Sequence, residues 1–127
     1  MWYLDTSAFM KLLVLEDESE AMRRWLRENS PAWSSQLLLT EAMRSAERLG
    51  VDNGDVLGAL ETVSLMMPSA QTFFVAGQLK PSSLRTLDAL HLASALELGS
   101  DLEGVVTYDE RLASAALESE IPVHAPR

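Results

Sequence analysis

Apolar residues follow two rhythms along this chain, and the switches between them mark its elements. Short apolar runs at residues 2–4, 32–34, 104–109 ("GVVTYD") and 121–126 ("IPVHAP") read as buried strands. Between them, apolar positions recur every three or four residues, which predicts helices over about 8–15, 18–30, 36–50, 53–66, 87–99 and 109–119. Punctuation agrees at most ends. Asp5, Thr6 and Ser7 are N-cap types for the first helix, Asp17 or Ser19 for the second, Asp52 or Asn53 for the fourth and Thr86 for the fifth. Pro31, Gly50, "MMPS" and Gly99 are stops, and Gly58 weakens the fourth helix from within. Residues 70–79 stay open: "AQTFFVAG" has strand composition at 72–75, yet its apolar positions also suit a short helix.

Strands and helices alternate throughout, which is the pattern of an α/β domain with a parallel or mostly parallel sheet and helices on its faces. No repeat, low-complexity tract or long linker interrupts it, so residues 1–127 are expected to form a single domain.

Composition narrows the chemistry. Cysteine is absent, which removes disulfides and thiolate metal sites and fits a reducing, cytoplasmic setting. No apolar stretch approaches the roughly 18–20 residues of a membrane span, and the first apolar segment carries Asp5 and Lys11 without a basic leader. A net charge of −9 opposes general attraction to nucleic acid or anionic lipid. A nucleic-acid role therefore needs clustered arginines, or carboxylates that hold divalent cations.

Four carboxylates stand out by position. Asp5 follows "WYL" and Asp109 follows "VVTY", so both fall just past strands, at the edge where parallel sheets bind ligands. Asp88 lies in the first turn of an apolar helix, and Glu41 sits beside "LLL", four residues before Ser45. Each has an ordinary alternative, since an Asp after a strand also serves as a turn or cap. If all four converge, repulsion and burial raise their pKa values until a cation intervenes. Oxygen-only donors point to Mg²⁺ or Mn²⁺, and such a site supports metal-assisted phosphoryl transfer.

The stretches "YLDTSAFMKLL", "LLLTEAMRSAER", "LRTLDALHLASAL" and "VVTYDERLASAA", with the closing "IPVHAP", resemble a PIN-domain ribonuclease, and within that family a VapC toxin of a bacterial type II toxin–antitoxin pair. The third and fourth stretches carry most of the likeness, and 52–82 matches only in helical character. The resemblance implies a three-layer α/β/α sandwich and a Mg²⁺- or Mn²⁺-dependent endoribonuclease. Its acidic quartet would be Asp5, Glu41, Asp88 and Asp109, with Thr6, Ser7 and Thr107 as supporting hydroxyls. It further implies a structured RNA target such as tRNA, a 5′-phosphate product, a VapB-type antitoxin whose basic tail meets this acidic chain, and a homodimer.

Lys11, Arg44, Arg48, Arg85 and Arg111 lie nearest the four acids in sequence and are candidates for RNA phosphates or for local ion pairs. His91, three residues after Asp88, reads as a hydrogen-bonded packing residue, and Trp25 and Trp33 as core. Two other functions remain: a PIN-fold module that binds without cutting, and a Mg²⁺-binding receiver-like domain. The second would need a paired acid near Asp5 and a lysine on the closing strand, and neither is present.

Overall fold

Strand β1 (Trp2–Leu4) lies at the centre of a five-stranded sheet in the computed structural model, which describes residues 1–127. Trp2 and Leu4 face one apolar cluster and Tyr3 faces another, so the strand is covered on both sides and reads as a continuous apolar run. The sheet order is β3-β2-β1-β4-β5, with β2 Ala32–Ser35, β3 Val63–Met66, β4 Gly104–Val106 and β5 Val123–His124, and every pairing is parallel.

Seven helices cover it: α1 Thr6–Met10, α2 Ser19–Asn29, α3 Gln36–Leu49, α4 Asn53–Leu60, α5 Ala70–Gln78, α6 Thr86–Leu96 and α7 Glu110–Glu118. Phe9, Met22, Leu38 and Val56 bring α1–α4 against Leu4 and Val106 on one face. Leu92 and Leu112 bring α6 and α7 against Tyr3 and Val105 on the other. The result is the expected α/β/α sandwich, stabilised by about 1.5–3 kcal/mol for each large side chain buried. Helix α5 packs on α6 through Ala76, Ala89, Leu90 and Ala93, a seam of mainly small residues that lets the two helices approach closely. No helix is long and apolar enough to cross a membrane.

Two glycines answer specific demands. Gly50, at φ 72°, closes α3 in the left-handed conformation and donates its N–H to the Ala46 carbonyl. Gly104 starts β4 where a Cβ would stand 2.6 Å from the Pro122 carbonyl oxygen and 2.7 Å from the Trp2 ring.

Several boundaries depart from the pattern. Helix α1 begins at Thr6, because Asp5 itself takes the cap, and it gives way to turns after Met10. Neither Asp17 nor Ser19 caps α2: Glu18 holds that position without a side-chain bond, and the Ser19 hydroxyl donates back to the Val14 carbonyl. Helix α4 stops at Leu60, and residues 63–66, expected to continue it, form strand β3 along the free edge of β2. Ladder hydrogen bonds to β2 outweigh a helical pattern already weakened at Gly58. Residues 70–78 are helical because Ser69 and Thr72 cap each other reciprocally. Arg85, rather than Thr86, occupies the N-cap position of α6.

The winding places the site. From β1 the chain steps outward to β2 and β3 on one side, then returns to lay β4 and β5 on the other. The order therefore reverses between β1 and β4, and the crevice beyond their carboxyl ends is the expected ligand position.

Candidate active site

Asp5 leaves β1 at this reversal point and is 4% exposed. Its Oδ1 accepts from the Ser7 hydroxyl at 2.7 Å and the Ala8 N–H at 3.0 Å, and its Oδ2 accepts from the Thr107 hydroxyl at 2.6 Å. Burial nonetheless holds its pKa above the usual carboxylate range, against the lowering effect of those three donors. Asp5 is thus both the helix cap that local pattern suggests and a lining residue of the cavity.

Next to it, Thr107 and Asp109 follow β4. The Thr107 oxygen accepts the Asp109 N–H at 3.0 Å, and the Ser7 oxygen accepts the Tyr108 N–H at 2.9 Å, so these two hydroxyls lock the turn after β4 to the end of β1. Asp109 caps α7 through Oδ1, which accepts from the N–H groups of Arg111 and Leu112.

Asp88 arrives from above. Helix α6 leads into β4 by its C-terminal end, so its first turn lies at the opposite, carboxyl edge of the sheet. The Asp88 pKa is raised, first by partial burial and then by the charges of Asp109 and Asp5, with Glu41 adding to them. Glu41 reaches in from α3. Its Oε1 accepts from the Thr6 hydroxyl at 3.0 Å and lies 2.6 Å from His91 Nε2. Burial alone would raise its pKa, but the hydrogen bonds from His91 and Thr6 outweigh burial and leave it lowered.

All four carboxylates line one cavity of about 390 Å³, together with Thr6, Ser7, Arg85, Thr86, Leu87 and His91. The donor chemistry suits a hard divalent cation: oxygen ligands, with Asp88, Asp109 Oδ2 and Glu41 Oε2 accepting no bond from the protein. The spacing is looser, since no three His, Asp or Glu side chains stand close enough together to hold one ion.

Of the five basic candidates only Arg85 lines this cavity, exposed and paired with no carboxylate. Lys11 is held by Glu16 at 2.6 Å and Glu18 at 2.9 Å. Arg48 donates to the Ser45 hydroxyl, Arg44 is exposed on α3, and Arg111 lines a separate cavity with Pro81 and Ser114. Trp25 packs edge-on against Trp2 at 5.6 Å between centroids, in keeping with a core role.

His91 is the hydrogen-bonded packing residue that the sequence suggests, and the structure adds the identity of its partners. Its Nε2 meets the Glu41 carboxylate and, at 3.3 Å, the Thr6 hydroxyl, and its Nδ1 meets the Tyr3 hydroxyl at 2.8 Å. Two spacings carried the signal: His91 lies one turn from Asp88 on α6, and Tyr3 shares its strand face with Asp5.

The PIN domain family model matches residues 2–118, and the chain belongs to this family. Its relatives include VapC ribonucleases. Ribonuclease VapC46 of Mycobacterium tuberculosis is 43% identical over 98% of this chain and 96% of its own length, and Ribonuclease VapC47 of the same species is 37% identical over 93% and 91%. Among solved structures, the Sarcin-Ricin loop cleaving toxin VapC20 of M. tuberculosis superposes with a TM-score of 0.74, at 17% identity over 91% of this chain and 95% of that one. A toxin-antitoxin complex from Klebsiella pneumoniae gives 0.76, at 20% identity over 100% of this chain and 98% of that one. The receiver-like alternative falls with the family assignment.

Proposed function

We propose that this protein is a Mg²⁺- or Mn²⁺-dependent endoribonuclease, the toxin of a type II toxin–antitoxin pair, and that it hydrolyses phosphodiester bonds of a structured RNA such as tRNA. One observation carries the reading: Asp5, Glu41, Asp88 and Asp109 share a cavity at the point where the strand order reverses. The named activity of the VapC relatives supports it.

Asp88, Asp109 and Glu41 carry the free oxygens that would draw a cation into the cavity, which Asp5 also lines. When bound, the cation supplies Lewis-acid polarisation of the phosphate and a nucleophile at neutral pH. The protein's own part is placement. Ser7 and Thr107 fix Asp5 from both oxygens, Thr6 and His91 fix Glu41 by one oxygen, and Arg85 gives the cavity a cation that can meet an RNA phosphate.

The partners follow from charge and surface. A chain of net charge −9 with a carboxylate-lined cavity suits a basic antitoxin segment, and the complexed Klebsiella neighbour supports an antitoxin partner. Exposed Leu49 at the end of α3 and Leu57 on α4 support a homodimer formed by this part of the chain. The setting is cytoplasmic in this reading. One feature favours a module that binds RNA without cutting it, namely that no three of these side chains meet around a single ion position.

Cleavage of a cellular RNA pool separates the two. Wild type with Mn²⁺ or Mg²⁺ is compared with the same protein in chelator and with Asp88→Asn. Discrete fragments from metal-loaded wild type alone are expected. Fragments of equal yield in all three preparations, or none in any, would overturn the nuclease.

A further inference from the structure

Tyr3 and His91 are buried polar side chains, 0% and 2% exposed, that meet between β1 and α6, with His91 at the wall of the acidic cavity. Their rings stand 5.8 Å apart, nearly edge to face, and the Tyr3 hydroxyl lies 2.8 Å from His91 Nδ1. On the far side of the imidazole, Nε2 is 2.6 Å from Glu41 Oε1 and 3.3 Å from the Thr6 hydroxyl. The chain Tyr3–His91–Glu41 thus joins β1, α6 and α3 across sequence separations of 88 and 50 residues.

Proton accounting gives this chain a direction. A phenol carries one proton, and a neutral imidazole has one donor and one acceptor nitrogen. If Tyr3 donates to Nδ1, the ring proton sits on Nε2, aimed at the Glu41 carboxylate. The other tautomer would set an Nε2 lone pair against a carboxylate oxygen at 2.6 Å, where two acceptors repel. A carboxylate pinned by one oxygen also loses most of its freedom, and here the pinned atom is Oε1, while Oε2 accepts no protein hydrogen bond.

We propose that Tyr3 and His91 are positioning residues for the reaction: Glu41 requires the Nε2–H tautomer of His91, Tyr3 donates to Nδ1 and holds the ring in place, and His91 holds Glu41 Oε1 so that Oε2 is the oxygen offered to the cavity. His91 acts through Glu41, and Tyr3 through His91. The role of Glu41 in this inference rests on the proposed nuclease, but the tautomer does not.

Two readouts test it. The chain has only two histidines, His91 and the exposed His124, so long-range ¹H–¹⁵N spectra of histidine-labelled protein resolve both rings. Wild type should show His91 in a single Nε2–H form, and Tyr3→Phe should keep that form, which Glu41 still requires, with the Nδ1 resonance shifted by loss of its donor. Turnover of RNA by Tyr3→Phe should fall about 10- to 100-fold with little change in KM, as when other outer partners of ligating groups are removed. His91→Gln, whose amide nitrogen reaches the place of Nε2, should keep most activity, whereas His91→Asn, which reaches only the place of Nδ1, should not.

A merely structural tie predicts equal losses for Gln and Asn, and such a result would overturn the proposal. So would a wild-type ring protonated on Nδ1, or Tyr3→Phe turning over as fast as wild type. If wild type cuts no RNA, that failure belongs to the proposed nuclease, and the tautomer spectrum still decides for or against the device.

Discussion

Thr107 donates its one hydroxyl proton to Asp5, Oγ1 to Oδ2 at 2.6 Å, and with the same oxygen accepts the N–H of Asp109 at 3.0 Å. A single side chain therefore serves two carboxylate-bearing residues, one after β1 and one after β4. Thr107→Val keeps the shape and removes both bonds, leaving Asp5 short of a donor in a nearly solvent-free position. We expect a loss of about 1.5–3 kcal/mol in urea unfolding near neutral pH, the scale of a hydrogen bond to a charged group. Thr107→Ser should recover most of it. A valine variant as stable as wild type would show that the bond contributes nothing net.

Asp88→Asn should stabilise the metal-free protein while abolishing cleavage. The sign follows from the raised pKa of Asp88. A carboxyl whose folded pKa lies above its unfolded value binds its proton more tightly in the native state, so native stability falls as pH rises from the unfolded pKa through the folded one. Above that window the ionised group costs stability, and asparagine removes the cost. Melts in chelator should place Asp88→Asn above wild type at about pH 7 and bring the two together toward about pH 4, near the ordinary Asp pKa. A wild type more stable than the variant at neutral pH would mean that neither burial nor repulsion from the other acids burdens the ionised Asp88.

Much of this was legible in the chain. Asp5 and Asp109 were placed by the strands they follow, and Asp88 by a helix start that topology returns to the same edge. What escaped was set by long-range pairing. Residues 63–66 look like the end of a helix and are recruited as β3 only because β2 has an open edge beside them. His91 looks like packing until α3 brings Glu41 against it from 50 residues away. Arg85 could not be told from Lys11 or Arg111 by proximity to acids, because each of the others faces elsewhere once the helices are packed.

Divalent cation should raise the melting temperature of wild type by mass action. At about 100 times Kd the stabilisation is about 2.7 kcal/mol, and chelator should reverse it. Asp5→Asn is an informative comparison because asparagine caps helices as well as aspartate does, so α1 keeps its Ala8 N–H bond while the cavity loses a charge. The metal-induced shift should shrink in this variant. Equal shifts in Asp5→Asn and wild type would place the cation away from Asp5.

Arg85 is the basic side chain best placed for the substrate, since it lines the acidic cavity with no carboxylate partner, whereas Lys11 is held by Glu16 and Glu18. A guanidinium in that position should meet a phosphate of bound RNA, and removing a single phosphate interaction reduces the slope of log K against log salt by about 1. Binding is best measured in the Asp88→Asn background, where the RNA stays intact. Adding Arg85→Ala there should weaken binding at low salt and flatten the salt dependence, while Arg111→Ala and Lys11→Ala should leave the slope unchanged. Equal flattening by all three would mean that RNA is held by the general field of the surface, and Arg85 would then have no special claim on the phosphate at the cavity.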